Sequence, residues 1–365
     1  MRYFDEITIL RALAVLAVIA IHVSTYFMEM DSLTLLTTLG MAVGIFSHFA
    51  VPLFIFISGF VLYHTYPGAL DLRRFYQKRL ASVLPPYLIF STFYLAFSTA
   101  CALILSRAIS LDLPQVLYHY ATGGCFFHLW FFVLIIQLYL LYPLIVRAYN
   151  ACAARGRTPA LLAAVFLLGV VYTLSPLPEI PHLGVATVCV GYLFYFVLGM
   201  AARNRYDEFV KRPVSRTTLY GLSLALPYGT LLGLLNCAPT YFPSFEITQI
   251  YPVTGAYWHV LTATLTPLYY VIIFLLCLAL ALHFVSHRSK VSAVLEKIGR
   301  YSFGIYLVHA FILCTIVPVF TRLGFDWNDW LFYPVTFVLT LVLSYLAVEV
   351  IRRVPYSTYL IGSTR

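Results

Sequence analysis

Two residues in one apolar segment carry the clearest chemical signal in this chain: Arg11 and His22, in RALAVLAVIAIH. Ionisable groups inside an apolar run are costly and usually face a cavity. On a helix, eleven residues of about 1.5 Å rise separate the two by about 16 Å and leave them on roughly one face. Histidine titrates near neutrality and is the commonest general acid or base; arginine suits an anion. Arg11 also fits a snorkelling interface residue, and His22 a buried imidazole bonded to a backbone carbonyl. A second cluster is FFHLWFF at 126–132, with His128 and Trp130. It could share a cavity with His22 or form part of an interfacial aromatic belt. YSFGIYLVH at 301–309 adds Tyr306 and His309, and SHFAVPLFIFISGFVL at 47–62 adds His48 and Ser58. Ser58 has no secured base beside it and is a cavity candidate rather than a nucleophile, while Gly59 would permit close helix contact.

The elements that must position these groups are membrane helices. Of 365 residues, 62% are hydrophobic and 10% charged, and the mean hydropathy is +0.89. A soluble chain carries about a quarter charged residues; this one has too few to cover a water-facing surface. Its apolar runs have the ~20-residue length that crosses a ~30 Å hydrocarbon core. We place spans at 7–28, 41–63, 83–106, 126–147, 159–175, 184–202, 217–235, 258–284, 300–321 and 330–351. The expected fold class is all-α: ten transmembrane helices, both termini cytoplasmic, in a single domain over 1–365 with no separate soluble domain. The first run is too long for a removable signal peptide and lacks a small-residue cleavage site.

Loop charge tests this layout. With the N-terminus inside, 20 Lys and Arg residues fall on the inner side and only Arg107 and Arg322 on the outer, Arg11 lying within the first span. Positive charge favours the cytoplasmic side, so the formal charge of +9 reflects topology rather than nucleic-acid binding. Segment 69–80 (ALDLRRFYQKRL) is too polar to span. It is expected to lie at the interface, with Leu70, Leu72, Phe75, Tyr76 and Leu80 on one face and Arg73, Arg74, Lys78 and Arg79 reaching water or anions. That basic run is ordinary inner-side charge, and it is also where a phosphorylated cytosolic donor could dock. Residues 236–257 are expected to form the longest outer loop. The seven cysteines are scattered without a CxxC pair, so no metal site is expected. Cys125 and Cys237 both map to outer loops, and topology leaves open whether they pair. No P-loop or GxGxxG is present.

Taken in order, Arg11 followed by ten residues and then His22, VPLFIFISGFVL at 51–62, FYQKRLASVLPPY at 75–87, HLWFF at 128–132 and GIYLVH at 304–309 resemble the family-3 membrane acyltransferases. These modify sugars and surface polymers in bacteria, and the resemblance covers nearly the whole chain. It implies an acyl-CoA donor, usually acetyl-CoA, taken from the cytoplasm as a substrate with no permanently bound cofactor. The acyl group would pass to a sugar or surface-glycan hydroxyl at the extracytoplasmic side of the cell membrane. By position, Arg11 and His22 match the paired catalytic residues, and Arg79 the first arginine of an RxxR element. Ser82 stands where a second arginine is common, and Thr8 where an acidic residue often precedes the first-helix arginine. Those departures point towards the members acting on exopolysaccharide or other surface glycans. Arg74, Lys78 and Arg79 are then donor-binding candidates, and His128 and Trp130 acceptor-side candidates. His22 would act as general base, with an acyl-His intermediate as the alternative. The expected partners are the bilayer, acyl-CoA and the acceptor glycan, with oligomeric state open. The principal rival is a glycan exporter, which would need a polar path but no CoA.

Overall fold

The computed structural model describes residues 4–28, 34–106, 112–175, 188–211, 215–227, 229–231, 233–234 and 247–362. Among them there is no strand. Seven helical stretches are long and apolar enough to cross a membrane: Asp5–Tyr26, Leu35–Thr65, Leu72–Ile104, Trp130–Ala153, His259–Ser286, Lys290–Arg322 and Phe332–Ile351. Thr158–Leu174 is apolar but shorter. The eighth expected span is therefore one of the long helices. The sixth appears as a 3-10 turn, Cys189–Tyr192, running into the helix Leu193–Asn204. Around the seventh, Arg216–Ser223 is helical, and several positions expected in it lie outside the described residues.

Three local expectations are corrected. The second span breaks at His48–Phe49 into Leu35–Ser47 and Ala50–Thr65. Pro52 has no N–H to give the His48 carbonyl, so the helical ladder cannot run through unbroken. The third span, expected from residue 83, begins earlier, within the polar segment 69–80. Asp71 caps a single helix, Leu72–Ile104, by accepting from the Arg74 backbone N–H at 3.1 Å, and the helix continues through Pro85 and Pro86. At about 1.5 Å per residue it is about 50 Å long, more than a bilayer core requires, so its polar first turns can project beyond it. Phe75, expected on the interfacial face, is instead buried against Tyr66 and Tyr142, with ring centroids 5.2 and 5.4 Å away. Finally, residues 247–257 of the expected outer loop are helical, belonging to Ile247–Ser286; residues 236–246, with Cys237, lie outside the described set.

The chain divides into two compact units, Met1–Ile57 with Arg205–Glu349, and Ser58–Asn204 with Val350–Thr364. In the first, the helix Asp5–Met28 packs along Lys290–Arg322. Gly299 meets the Thr8 carbonyl so closely that a Cβ would collide with backbone. Contacts at Thr8–Gly299 and His22–His309 advance in the same direction along both chains, so these helices run parallel. Phe332–Ile351 runs antiparallel to the second of them: Phe332 lies near Phe320, and the Tyr301 hydroxyl donates to Glu349 Oε1 at 2.9 Å. In the second unit, Gly59 plays the part expected of it, since a Cβ there would strike the Phe196 backbone. It lets the end of Ala50–Thr65 press against Leu193–Asn204.

Candidate active site

The first unit holds Arg11, His22, Tyr306 and His309. Asp5–Met28 is one uninterrupted helix, so the axial separation of Arg11 and His22 expected from helical rise is preserved. Its middle is lined by buried small and branched residues, Ala12, Ala14, Val15, Val18 and Ile19, which hold the helix within the protein. Arg11 and His22 are both half-buried. Arg11 and His22 thus keep partial exposure, while most of the apolar residues between them are buried.

The histidine is held from two sides. Its ring stacks on that of His309, with centroids 5.2 Å apart and planes at 29°. Behind it, His309 is completely buried, and its Nδ1 lies 2.6 Å from the Tyr306 carbonyl. A carbonyl can only accept, so that nitrogen carries the proton and the ring is fixed in orientation. The Tyr306 ring lies 5.8 Å from His309. Tyr333 donates to the Ala20 carbonyl at 3.2 Å, pinning the first helix half a turn from His22. Ser24, one turn above, donates to the same carbonyl at 2.8 Å. Such a half-exposed imidazole, immobilised by a buried second imidazole, can take or give a proton without moving far. His48 sits at the helix break, its Nδ1 2.7 Å from the Gly44 carbonyl.

Sequence reasoning singled out His22 and His309 separately and did not pair them. At the opposite end of the first helix, Glu6 is buried and accepts a short hydrogen bond from the Tyr206 hydroxyl. This carboxylate stands five residues before Arg11 and went unremarked because Thr8 occupies the position where an acidic residue was sought.

The second unit holds the remaining candidates. His128 is buried and meets Tyr94 edge-on, with centroids 4.9 Å apart; Phe126 stacks on Tyr94 at 4.3 Å. Trp130 is half-buried and opens the helix Trp130–Ala153, with Tyr192 at 6.4 Å. Ser58 lies one residue before the Gly59 contact and is half-buried. The basic run separates into two kinds. Arg73, Arg74 and Lys78 are exposed, whereas Arg79 turns inward, donating from Nη2 to the Tyr66 hydroxyl at 3.2 Å. Cys125 is buried and burial pushes its thiol up. Among the described residues, no group of three or more His, Cys, Asp or Glu is arranged to hold a metal ion.

Comparison with known proteins gives one match. A family model described as an acyltransferase domain, acyltransferase 3, matches residues 4–349. No curated protein and no solved structure matches the chain. The matched region takes in every candidate residue named above, and the chain belongs to the acyltransferase 3 family of membrane acyltransferases.

Proposed function

We propose that this protein transfers an acyl group, acetyl in the simplest case, from cytosolic acyl-CoA to a hydroxyl of a sugar or surface glycan at the outer face of a bacterial cell membrane. The family membership supports acyl transfer. The observation that carries the site is the half-buried His22 stacked on the fully buried His309.

In this reading the whole chain is one transmembrane domain of ten spans. The long helices are joined by the shorter apolar segments around 159–175, 184–202 and 217–235, and both termini are cytoplasmic. The one-sided distribution of basic residues supports that orientation. Arg11 then lies towards the cytoplasm and His22 towards the outer leaflet. The acceptor oxygen attacks the thioester carbonyl as His22 takes its proton; the C–O bond forms, the C–S bond breaks, and the proton passes to the departing CoA sulfur. Arg11 orients the donor or stabilises negative charge. Tyr306 and His309 hold His22 in place, His128 and Trp130 shape the acceptor side, and Arg74, Lys78 and Arg79 receive the donor's phosphates.

Mass spectrometry of surface glycans from wild-type and deletion cells tests the reading. Loss of an acetyl-sized mass from an otherwise intact glycan supports it and names both donor and acceptor. Loss of the whole polymer, with no change in acylation, would replace it with glycan export.

A further inference from the structure

The buried residues of Phe332–Ile351 form a single line: Phe332, Thr336, Thr340, Ser344 and Val348. They are four apart and so share one face. Phe332 meets Phe320, and the Tyr345 ring lies 5.3 Å from that of Tyr301, so the helix packs along Lys290–Arg322. Beside Phe332, Tyr333 reaches the Ala20 carbonyl of the first helix. The line therefore lies on the helix that packs against the pair carrying His22 and His309. Apolar residues at its two ends suit a membrane seam; the three hydroxyls between them do not. Thr336, Thr340 and Ser344 are each fully buried, and among the described residues their hydroxyls have no hydrogen-bond partner. Threonines on other long helices meet this need within their own backbone. Thr92, Thr99, Thr264 and Thr315 donate to the carbonyl four residues back at 2.7 or 2.8 Å.

Buried polar groups are nearly always partnered, by protein or by ordered water. Helical rise puts neighbouring hydroxyls of the line about 6 Å apart. That is too far for a direct bond and about twice the ~2.8 Å of an O–H···O hydrogen bond. One water therefore fits between each pair, bonded to both hydroxyls. Helix carbonyls, with their second lone pairs, supply the remaining partners such a water takes. The antiparallel contacts set the level of the line. Phe320 lies by Phe332, and Tyr301 by Tyr345 and Glu349, which brings Thr340 close to the level of His309. Beyond Ser344, the Glu349 carboxylate accepts from the Tyr301 and Tyr345 hydroxyls at 2.9 and 3.3 Å.

We propose that the Thr336, Thr340 and Ser344 hydroxyls bind a file of water molecules, one between each neighbouring pair. The file runs past His309 and gives the stacked imidazoles a hydrogen-bonded connection towards Glu349. Water chains can carry protons, so the pair exchanges its proton with the Glu349 end without any helix opening. In that exchange one proton enters the file as another leaves it, and nothing else is consumed. The water site stands on the hydroxyls themselves. Its service to proton transfer rests on the acyl-transfer reading above, in which His22 is the base.

The test has two parts on the purified full-length protein. The first is thermal denaturation in detergent of wild type, Thr336→Val, Thr340→Val and the double variant. Valine keeps the shape of threonine and removes the hydroxyl. Each single change should lower Tm by about 2–4 °C, the size of a lost hydrogen bond. The double variant should lose less than the sum, because one water bridges both positions. A raised or unchanged Tm in Thr340→Val, as removal of an unsatisfied hydroxyl from a dry seam would give, overturns the water site; so does strict additivity. If Thr340→Val does not fold, Thr336→Val, Ser344→Ala and their double variant carry the same comparison through the file. The second part is steady-state transfer from acetyl-CoA to the glycan acceptor identified in cells. Thr340→Val should lower kcat about tenfold with CoA affinity unchanged, while Thr340→Ser, which keeps the hydroxyl, stays near wild type. A wild-type kcat in Thr340→Val, or equal slowing in Thr340→Ser, overturns the link to the imidazoles and leaves the acyl-transfer reading standing. Absence of transfer by wild type overturns that reading, and the Tm results still decide the water site.

Discussion

Two polar clusters, one in each unit, are built in opposite ways. At His22 and His309 the polar groups are few: two imidazoles stack, one is fully buried, and the surrounding helix is alanine, valine and isoleucine. At residues 63–67 they are many, with Arg79, Arg203, His64, Tyr63, Tyr66, Tyr142 and Asn150 joined by hydrogen bonds. The first arrangement stacks one half-buried imidazole on a second, fully buried one whose orientation is fixed by the Tyr306 carbonyl. The second supplies charge and donors but no base aimed at a reacting atom. The difference separates chemistry from anchoring, and changes at the two places should register in different kinetic constants.

The largest effect is expected at the imidazole. His22→Ala should lower kcat by ~10²–10⁴-fold, the range of a positioned general base, with CoA affinity retained; normal turnover would remove His22 from the mechanism. His309→Ala, which takes away the stacked partner without touching the reacting group, should lower kcat by about tenfold to a hundredfold through misplacement of His22, with little change in KM for the donor. A change confined to KM would assign His309 to the donor instead.

The donor cluster should behave in the reverse manner. Arg79→Gln should raise the donor KM by about tenfold, as expected for one charge-assisted bond, while kcat at saturation stays near wild type. Gly299→Val sharpens the comparison from the structural side. The added carbons have no room beside the Thr8 carbonyl, so about 1–3 kcal/mol of stability should be lost. Thermal denaturation in detergent would show this as a lowered Tm, with loss of activity following unfolding rather than preceding it. The smallest effect is at Cys125, whose buried thiol is pushed up by burial. It should react with maleimide at least about ten times more slowly in the folded protein than after denaturation, and Cys125→Ser should leave turnover essentially unchanged.

Legibility in the sequence followed length scale. Apolar runs of membrane-crossing length located the seven long helices, because lipid constrains every such run in the same way, but Leu35–Thr65, Leu72–Ile104 and Lys290–Arg322 begin six to eleven residues before the expected spans, where polar turns extend the helix beyond its apolar stretch. The break at His48 and the continuation through Pro85 and Pro86 were harder to read. A proline removes one hydrogen bond in either place, and only the packing around it decides between a break and a helix that runs on. Arg11 and His22 could be placed on one helix from spacing alone. The stack of His22 on His309 could not, since it joins residues nearly three hundred positions apart through a parallel helix pair whose closest approach depends on Gly299.

The account's central claim is that His22 moves the proton in acyl transfer and does not serve to bind the donor. The direct measurement is single-turnover transfer from isotopically labelled acetyl-CoA to the glycan acceptor identified in cells, using reconstituted wild type and His22→Ala, each first shown by titration to bind CoA. The account predicts equal CoA affinity and transfer slowed by ~10²-fold or more in the variant. Equal transfer rates, or a loss of transfer fully explained by lost CoA binding, would contradict it.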